Sequence, residues 1–386
     1  MKKINLGFVL NFHPVSWNGG TYYVINLIEQ IKKASKSYET IILVGTNIDD
    51  QSLKVFKKTK ILKSRLFNNN FFTRWSNKLL ILIFKKNFLL ENFLMKNRIN
   101  LLSHFLATGS RSQIKSTFWI PDFQEISNLK YISLLKKLLR RLNYFYNLVN
   151  VEKIILSSET VKKDYNKLFP KFKDKSLVLK PFFNTPQKIK NKAILKKYNI
   201  NKKFFLLPNQ YWKHKNHFLI LNALNQIKKK NKDIQIISTG YFKDHRYPEY
   251  TNTILEFIKK NSLSKNYKIL GMIPYEDLMD LMQLSIAVIN PSKSEGWSST
   301  VEQAKSKGKL VLLSNLKVHK EQNPNRAFYF RVNDKNKISE VLLKLHKNYN
   351  INKENKASKK SRNFFYKQNK NFILDYLKSV NQIILS

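Results

Sequence analysis

Residues 290–309, NPSKSEGWSSTVEQAKSKGK, hold the densest set of groups able to do chemistry. The preceding SIAVIN is an apolar run of strand type. Ser298, Ser299 and Thr300 are residue types found where a helix begins. The first backbone N–H groups of such a helix have no partner inside it, and the dipole there favours anions. Two carboxylates, Glu295 and Glu302, bracket the turn. An anion cradle beside carboxylates suits a phosphate joined to polyhydroxylated rings, the chemistry of a nucleotide sugar. The plain alternative is a capped surface helix with scattered charges.

A second group lies at 207–217, LPNQYWKHKNH, after another apolar run. Lys215 there sits between a strand and a helix, where a fixed ammonium can stabilise the charge that grows on a departing diphosphate. In a chain this rich in lysine, the alternative is a solvated surface group. Gly19 and Gly20 follow the first strand and a connecting segment, NFHPVSWN. Glycine permits close approach of backbone to a ligand, although this pair is no GxGxxG and could be only a turn. In 118–126, FWIPDFQEI, the residues Asp122, Gln124 and Glu125 form a polar loop after a strand.

Together these segments resemble glycosyltransferase family 4, whose members are retaining enzymes of GT-B fold. EGWSSTVEQA is close to the family's donor motif EGFGLPVLEA and closer to its variant EGWSTVVEEA. The resemblance implies that Glu295 lies near the transferred sugar. It assigns the distal phosphate to the N–H groups around Trp297, Ser298, Ser299 and Thr300, with Gly296 also among the donor-binding residues. The family's second Glu binds the ribose eight residues on. Here that position is Gln303, with Glu302 one residue earlier. Gln can accept a hydroxyl hydrogen bond but brings no charge. LPNQYWKHKNH is similar to the family's VGRLxxEKN, so Lys215 takes the pyrophosphate, with Gln210 where Arg is usual. Gly19 and Gly20 are implied to face the donor phosphates across a cleft. FWIPDFQEI resembles WIPDFQH, which puts Asp122, Gln124 and Glu125 on the acceptor side, with Glu125 in place of the usual His. Glu295, Lys215, Asp122 and Glu125 are the catalytic candidates. The resemblance implies a nucleotide-sugar donor, a glycan or lipid-linked acceptor in surface-polysaccharide assembly, no metal and no cofactor. It covers most of the chain and is weak over 47–100.

Composition bounds the alternatives. With 386 residues there is room for two full cores. The absence of cysteine excludes disulfides and thiolate metal sites built by this chain alone, and the seven histidines show no HExxH spacing. The net charge of +46 attracts polyanions. Of the 71 basic residues only ten are arginine, the pattern of a lysine-biased composition rather than of a base-reading surface. Nucleic acid is therefore disfavoured as a partner, and an anionic membrane surface is favoured. A non-catalytic protein binding glycan, membrane or nucleic acid is the rival reading, motivated by the neutral Gln210 and Gln303. The apolar stretch of MKKINLGFVLNF is too short for a signal peptide, and no run reaches the ~20 residues needed to span a bilayer. The expected location is cytoplasmic, peripheral at the inner membrane face.

The elements that must hold these groups alternate strand and helix, as in doubly wound α/β folds. NLGFVL, TIILVG, STFWIP and EKIILSS read as strands of a first domain, 1–182. A polar connector with Pro181 and Pro186 marks a linker at 181–191. KFFLLP, DIQIIST, YKILG, IAVIN, KLVLLS and AFYF read as strands of a second domain, 192–365. The helix 366–386 is expected to return to the first. The expected class is α/β of GT-B type, two Rossmann-like domains facing a cleft. Two basic, aromatic segments, 65–96 and 128–147, could touch a membrane. In the second, Ile132, Leu135, Leu139 and Leu142 share a helical face, which reads first as core-facing.

Overall fold

A computed structural model describes residues 3–10, 18–56, 58–123, 134–185, 193–244, 246–368 and 372–385. The chain divides into two compact units, Met1–Phe182 with Lys370–Ser386, and Phe183–Asn369.

The first unit is built on seven strands: β1 (Ile4–Leu10), β2 (Tyr38–Val44), β3 (Lys60–Lys63), β4 (Leu101–Ser103), β5 (Lys115–Ile120), β6 (Lys153–Leu156) and β7 (Ser176–Val178). Their order is β3-β2-β1-β4-β5-β6-β7. Each pairing is parallel. The sequence reading finds four of these strands and misses β3, β4 and β7. The missed ones are three or four residues long, and β3 and β7 are half-exposed edge strands without an apolar run.

The second unit is a six-stranded parallel sheet: β8 (Phe204–Pro208), β9 (Gln235–Thr239), β10 (Tyr267–Gly271), β11 (Val288–Asn290), β12 (Val311–Ser314) and β13 (Ala327–Phe330). Their order is β10-β9-β8-β11-β12-β13. β8 shows why these strands are continuous apolar runs. Phe205 and Leu207 enter one buried cluster, while Phe204 and Leu206 enter another. A parallel sheet covered by helices on both sides needs apolar residues on both faces. The result is a two-domain α/β Rossmann-like fold. Among the described residues, no helix is long and apolar enough to cross a membrane.

Buried charges clamp the helix Ile351–Gln368 to the second unit. Glu354 accepts from Lys309 Nζ at 2.7 Å and from Arg326 NH2 at 2.6 Å, and Lys309 also donates to the Ser285 carbonyl at 2.7 Å. The Lys309 side chain is fully buried. The same helix passes over Gly308, which has φ +69°; a Cβ there would lie 2.0 Å from the Ser358 carbonyl oxygen. Removing the shared anion leaves a buried ammonium without its counter-charge. Glu354→Ala is expected to cost about 3–5 kcal/mol, read as a lowered midpoint in chemical denaturation of the full chain.

Candidate functional site

Strand order decides where the chemistry collects in the second unit. From β8 the chain winds outward through β9 and β10, then returns to lay β11 on the other side of β8. Val288 pairs with Leu206 across that junction. Ligands of open α/β sheets bind outside the carboxyl ends of the strands at such a reversal. The segment carrying Lys215 leaves β8 there, and the segment carrying Glu295 leaves β11 beside it.

Backbone and side-chain bonds join the two segments. Lys293 N–H donates to the His214 carbonyl at 2.8 Å. Asn216 adopts a left-handed conformation (φ 61°), and its Nδ2 donates to the Pro291 carbonyl at 3.1 Å and to Val332 at 2.9 Å. Asn tolerates that conformation better than most residues. On the far side of the loop, Gly240 (φ +132°) lets the Asn209–Gln210 backbone lie where a Cβ would be 2.6 Å from the Asn209 oxygen. His217, fully buried, stacks on Tyr211 at 4.2 Å. Its Nε2 faces the Gln210 carbonyl at 3.2 Å, and its Nδ1 faces the Tyr267 hydroxyl at 2.8 Å. Burial lowers this imidazole to about 4, so it is neutral at pH 7 and its Nε2–H donates to Gln210.

Lys215 Nζ lies 2.6 Å from Glu295 Oε1, with side chains only 14% and 6% exposed. Ser292 Oγ also lies 2.7 Å from Oε1 and 2.7 Å from Asn290 Oδ1. One hydroxyl proton serves only one of these two acceptors at a time. Glu295 Oε2 has no partner among the described residues and is left to accept a hydroxyl from a ligand. Burial alone would raise the Glu295 carboxyl, but the Lys215 ammonium outweighs it and holds the acid at about 2.

The helix Ser299–Lys307 begins next to this pair. Ser298 is its N-cap, and its Oγ accepts from Val301 N–H and from Asn290 Nδ2. The Ser298 amide donates to Gln322 Oε1 at 3.3 Å. Ser298 N–H, one of the amides expected from sequence to hold phosphate, is thus bonded within the protein. The amides of Ser299 and Thr300 have no partner among the described residues. Thr300 Oγ1 donates to the Pro208 carbonyl at 3.2 Å, tying the helix start to β8. Glu302 is turned away into a buried network: Oε1 accepts from Lys305 Nζ at 2.9 Å and from Gln322 Nε2 at 3.0 Å. Gln303 is buried on the same helix. Gly296 is buried and Trp297 half-buried in the turn between.

The structure thus brings Lys215, Glu295, Ser299 and Thr300 to one place, with Gln210 on the adjoining loop. Gly19, Gly20 and Asp122 belong to the first unit. Both glycines fall in the first turn of the helix Asn18–Ala34 rather than in the turn before it. Asp122 follows β5 at its carboxyl end, close enough to Tyr144 to help raise that phenol, after burial. Gln124 and Glu125 lie outside the described residues.

Sequence reasoning passed over several groups. Asn290 and Ser292 stand inside the motif itself, and a fully buried polar pair at a strand end was a usable signal. His319 carried none. It is fully buried and near enough to Glu295 to feel its charge, its Nδ1–H donates to the Ser314 carbonyl at 2.8 Å, and its Nε2 has no partner among the described residues. Burial lowers its imidazole below the usual range. In the first unit His104, immediately after β4, holds φ +82° although it is not glycine. Its Nε2 meets the Tyr23 hydroxyl at 2.8 Å, its Nδ1 meets Ser103 Oγ at 2.6 Å, and burial lowers it to about 3. A left-handed residue held so tightly is a feature of functional sites.

Residues 190–364 match the family model of Glycosyl transferases group 1. No curated protein sequence matches. A glycosyltransferase from Rickettsia africae superposes with a TM-score of 0.70 at 18% identity, covering 100% of both chains. HepE of Anabaena in complex with UDP and glucose gives 0.70 at 11% identity, covering 98% of this chain and 100% of that one. WaaG, a glycosyltransferase involved in lipopolysaccharide biosynthesis, gives 0.63 at 12%, covering 93% and 95%. At these identities the structural likeness establishes the fold, and the family match supports a glycosyl transfer role.

The Glu295 carboxyl gives a pH test. It is held at about 2 in the fold and stands near 4.5 when unperturbed. A carboxyl lowered by folding contributes stability that is full above the unfolded value and is lost as pH falls through the folded one. The Lys215–Glu295 contribution should therefore fade between about pH 4.5 and 2. In melting-temperature series over that window, Glu295→Gln should show a shallower acid loss than the parent. Parallel curves would contradict the pairing.

Proposed function

We propose that this protein is a retaining glycosyltransferase of family 4 type. It moves a hexose from a nucleoside diphosphate sugar to a glycan or lipid-linked acceptor in bacterial cell-surface polysaccharide assembly, on the cytoplasmic side. The observation that carries this reading is the Lys215–Glu295 pair at the sheet reversal, 2.6 Å apart and nearly closed to solvent, beside two open helix amides. A donor diphosphate placed on the Ser299 and Thr300 amides would draw the Lys215 ammonium, and Glu295 Oε2 would accept a sugar hydroxyl. As the bond from the anomeric carbon to the phosphate oxygen breaks, the fixed ammonium and amides stabilise the charge left on the diphosphate. The acceptor oxygen forms the new bond on the same face, and its proton passes to the leaving phosphate. That HepE was solved with UDP and glucose supports a nucleotide-sugar donor of this kind. This reading assigns no cofactor and needs no metal, because Lys215 and the amides neutralise the phosphates. Gln210 and Gln303 flank the donor as neutral hydrogen-bonding groups, and Glu302 acts through Gln322 rather than on the donor. Gly19 and Gly20 are assigned to the donor phosphates, and Asp122 and Glu125 to catalysis on the acceptor side.

Nucleoside diphosphate release from UDP-, GDP- and ADP-hexoses, at fixed salt, tests the proposal. One donor should turn over, and Lys215→Ala should lower its turnover by roughly 10²–10³-fold, as loss of an electrostatic stabiliser does. That substitution leaves Glu295 buried without its cation, so Lys215→Ala with Glu295→Gln is melted alongside to separate lost folding from lost chemistry. A folded parent protein that releases no diphosphate from any donor would hand the fold to the non-catalytic binding reading.

A further inference from the structure

The helix Phe71–Phe84 is amphipathic the wrong way round. Its buried residues are Asn77 and Ile81. Phe71, Phe72, Trp75, Leu79, Leu82 and Ile83 are 67, 82, 58, 53, 56 and 60% exposed. At 100° per residue these six span about 120° of one face. A face of that kind on water is unfavourable by about 25 cal/mol for each Å² left uncovered.

A second helix, Leu134–Asn150, lies alongside it in the same unit. Lys78 Nζ donates to Asn143 Oδ1 at 2.9 Å and stands 5.5 Å over the Tyr146 ring. On this helix Leu135, Leu138, Leu139, Leu142 and Phe145 are 51–65% exposed and share one face. That overturns the core-facing reading of Leu135, Leu139 and Leu142; Ile132 lies outside the described residues. The core under this helix is reached instead by Leu148, outside the exposed stripe.

The charges carried by both helices have one sign. Arg74 and Lys78 flank the first stripe, Lys85 and Lys86 follow it, Lys86 being paired with Glu91 at 3.2 Å, and Lys137, Arg140 and Arg141 flank the second; neither helix contains Asp or Glu. At the start of the first helix Asn69, Asn70, Phe71, Arg74, Trp75 and Lys78 line an open cavity of about 300 Å³. Arg74 donates to Asn69 at its rim.

We propose that these two helices form a docking surface for an anionic lipid bilayer, with the apolar stripes entering the acyl boundary and the cavity at Arg74 and Lys78 receiving a phosphate-bearing headgroup. Cations beside an anionic leaflet are drawn to it, and an interfacial helix buries an apolar face of this kind in the headgroup region. A nucleic acid would pair with the cations but leave Leu79, Leu82, Ile83 and the four leucines of the second helix in water. A second copy of the chain would bring like charges together, with neither helix supplying an acid to pair them. The proposal is independent of the transfer reading, since it concerns other residues and a readout without donor.

Flotation of the full chain with vesicles of phosphatidylcholine alone, or with about one-third phosphatidylglycerol, decides it. The protein should float with the anionic vesicles and remain behind with the neutral ones. Phe72→Ser with Trp75→Ser and Ile83→Ser, all exposed positions, should weaken binding at least tenfold without lowering the melting temperature. Arg141→Glu should weaken it while leaving the apolar face intact. Equal binding of the triple variant, absence of flotation, or a dimer in light scattering that the triple variant abolishes without any vesicle binding would each overturn the proposal. So would single-stranded RNA that competes fully with vesicles and binds the triple variant unchanged.

Discussion

Parallel pairing of β8 with β11 is the constraint on which the candidate site depends. It makes neighbours of two strand ends that are more than eighty residues apart in sequence, Pro208 and Asn290. Each strand is followed by a polar turn and then a helix. Because the winding reverses at this junction, the turns that leave the two strand ends meet beside each other. Asn216 and the Lys293–His214 backbone bond hold the turns together. The ammonium of one then meets the carboxylate of the other.

Two kinds of buried carboxylate occupy this unit, and their surroundings separate their roles. Glu354 spends both oxygens on Lys309 and Arg326, and Glu302 is bonded to Lys305 and Gln322. Such charges are tolerated away from water because protein groups replace the lost hydration. They fasten helices. Glu295 is partnered on one oxygen only, so its burial leaves a directed acceptor beside a cation that a phosphate could draw away. His217 and Gly240 serve the same place indirectly, by fixing the backbone of the loop that carries Gln210.

The first unit shows a different economy of surface. Its core is satisfied by residues such as Leu148, Ile154 and Tyr165. The stripes on Phe71–Phe84 and Leu134–Asn150 are not drawn into that core, although each has the periodicity of a helix that could pack there. Periodicity states only that a face is apolar. Whether it meets the core depends on which side of the helix the chain presents to the sheet, and here Asn77, Ile81 and Leu148 take that side.

The sequence by itself determined the alternation of strand and helix, since β1, β2 and the strands of the second unit are apolar runs that only burial on both faces explains. It also determined the capped helix after β11, because Ser298 supplies its cap from within four residues. The short strands β3, β4 and β7 were beyond it, being too brief for a period to show. Tertiary structure alone decided that Glu295 rather than Glu302 faces Lys215, that the Ser298 amide is spent on Gln322, and that buried His319 comes within electrostatic reach of the pair. The physical reason is one of range. Caps and apolar periods are set by neighbours a few residues away, whereas a hydrogen-bond partner is set by which strands lie side by side.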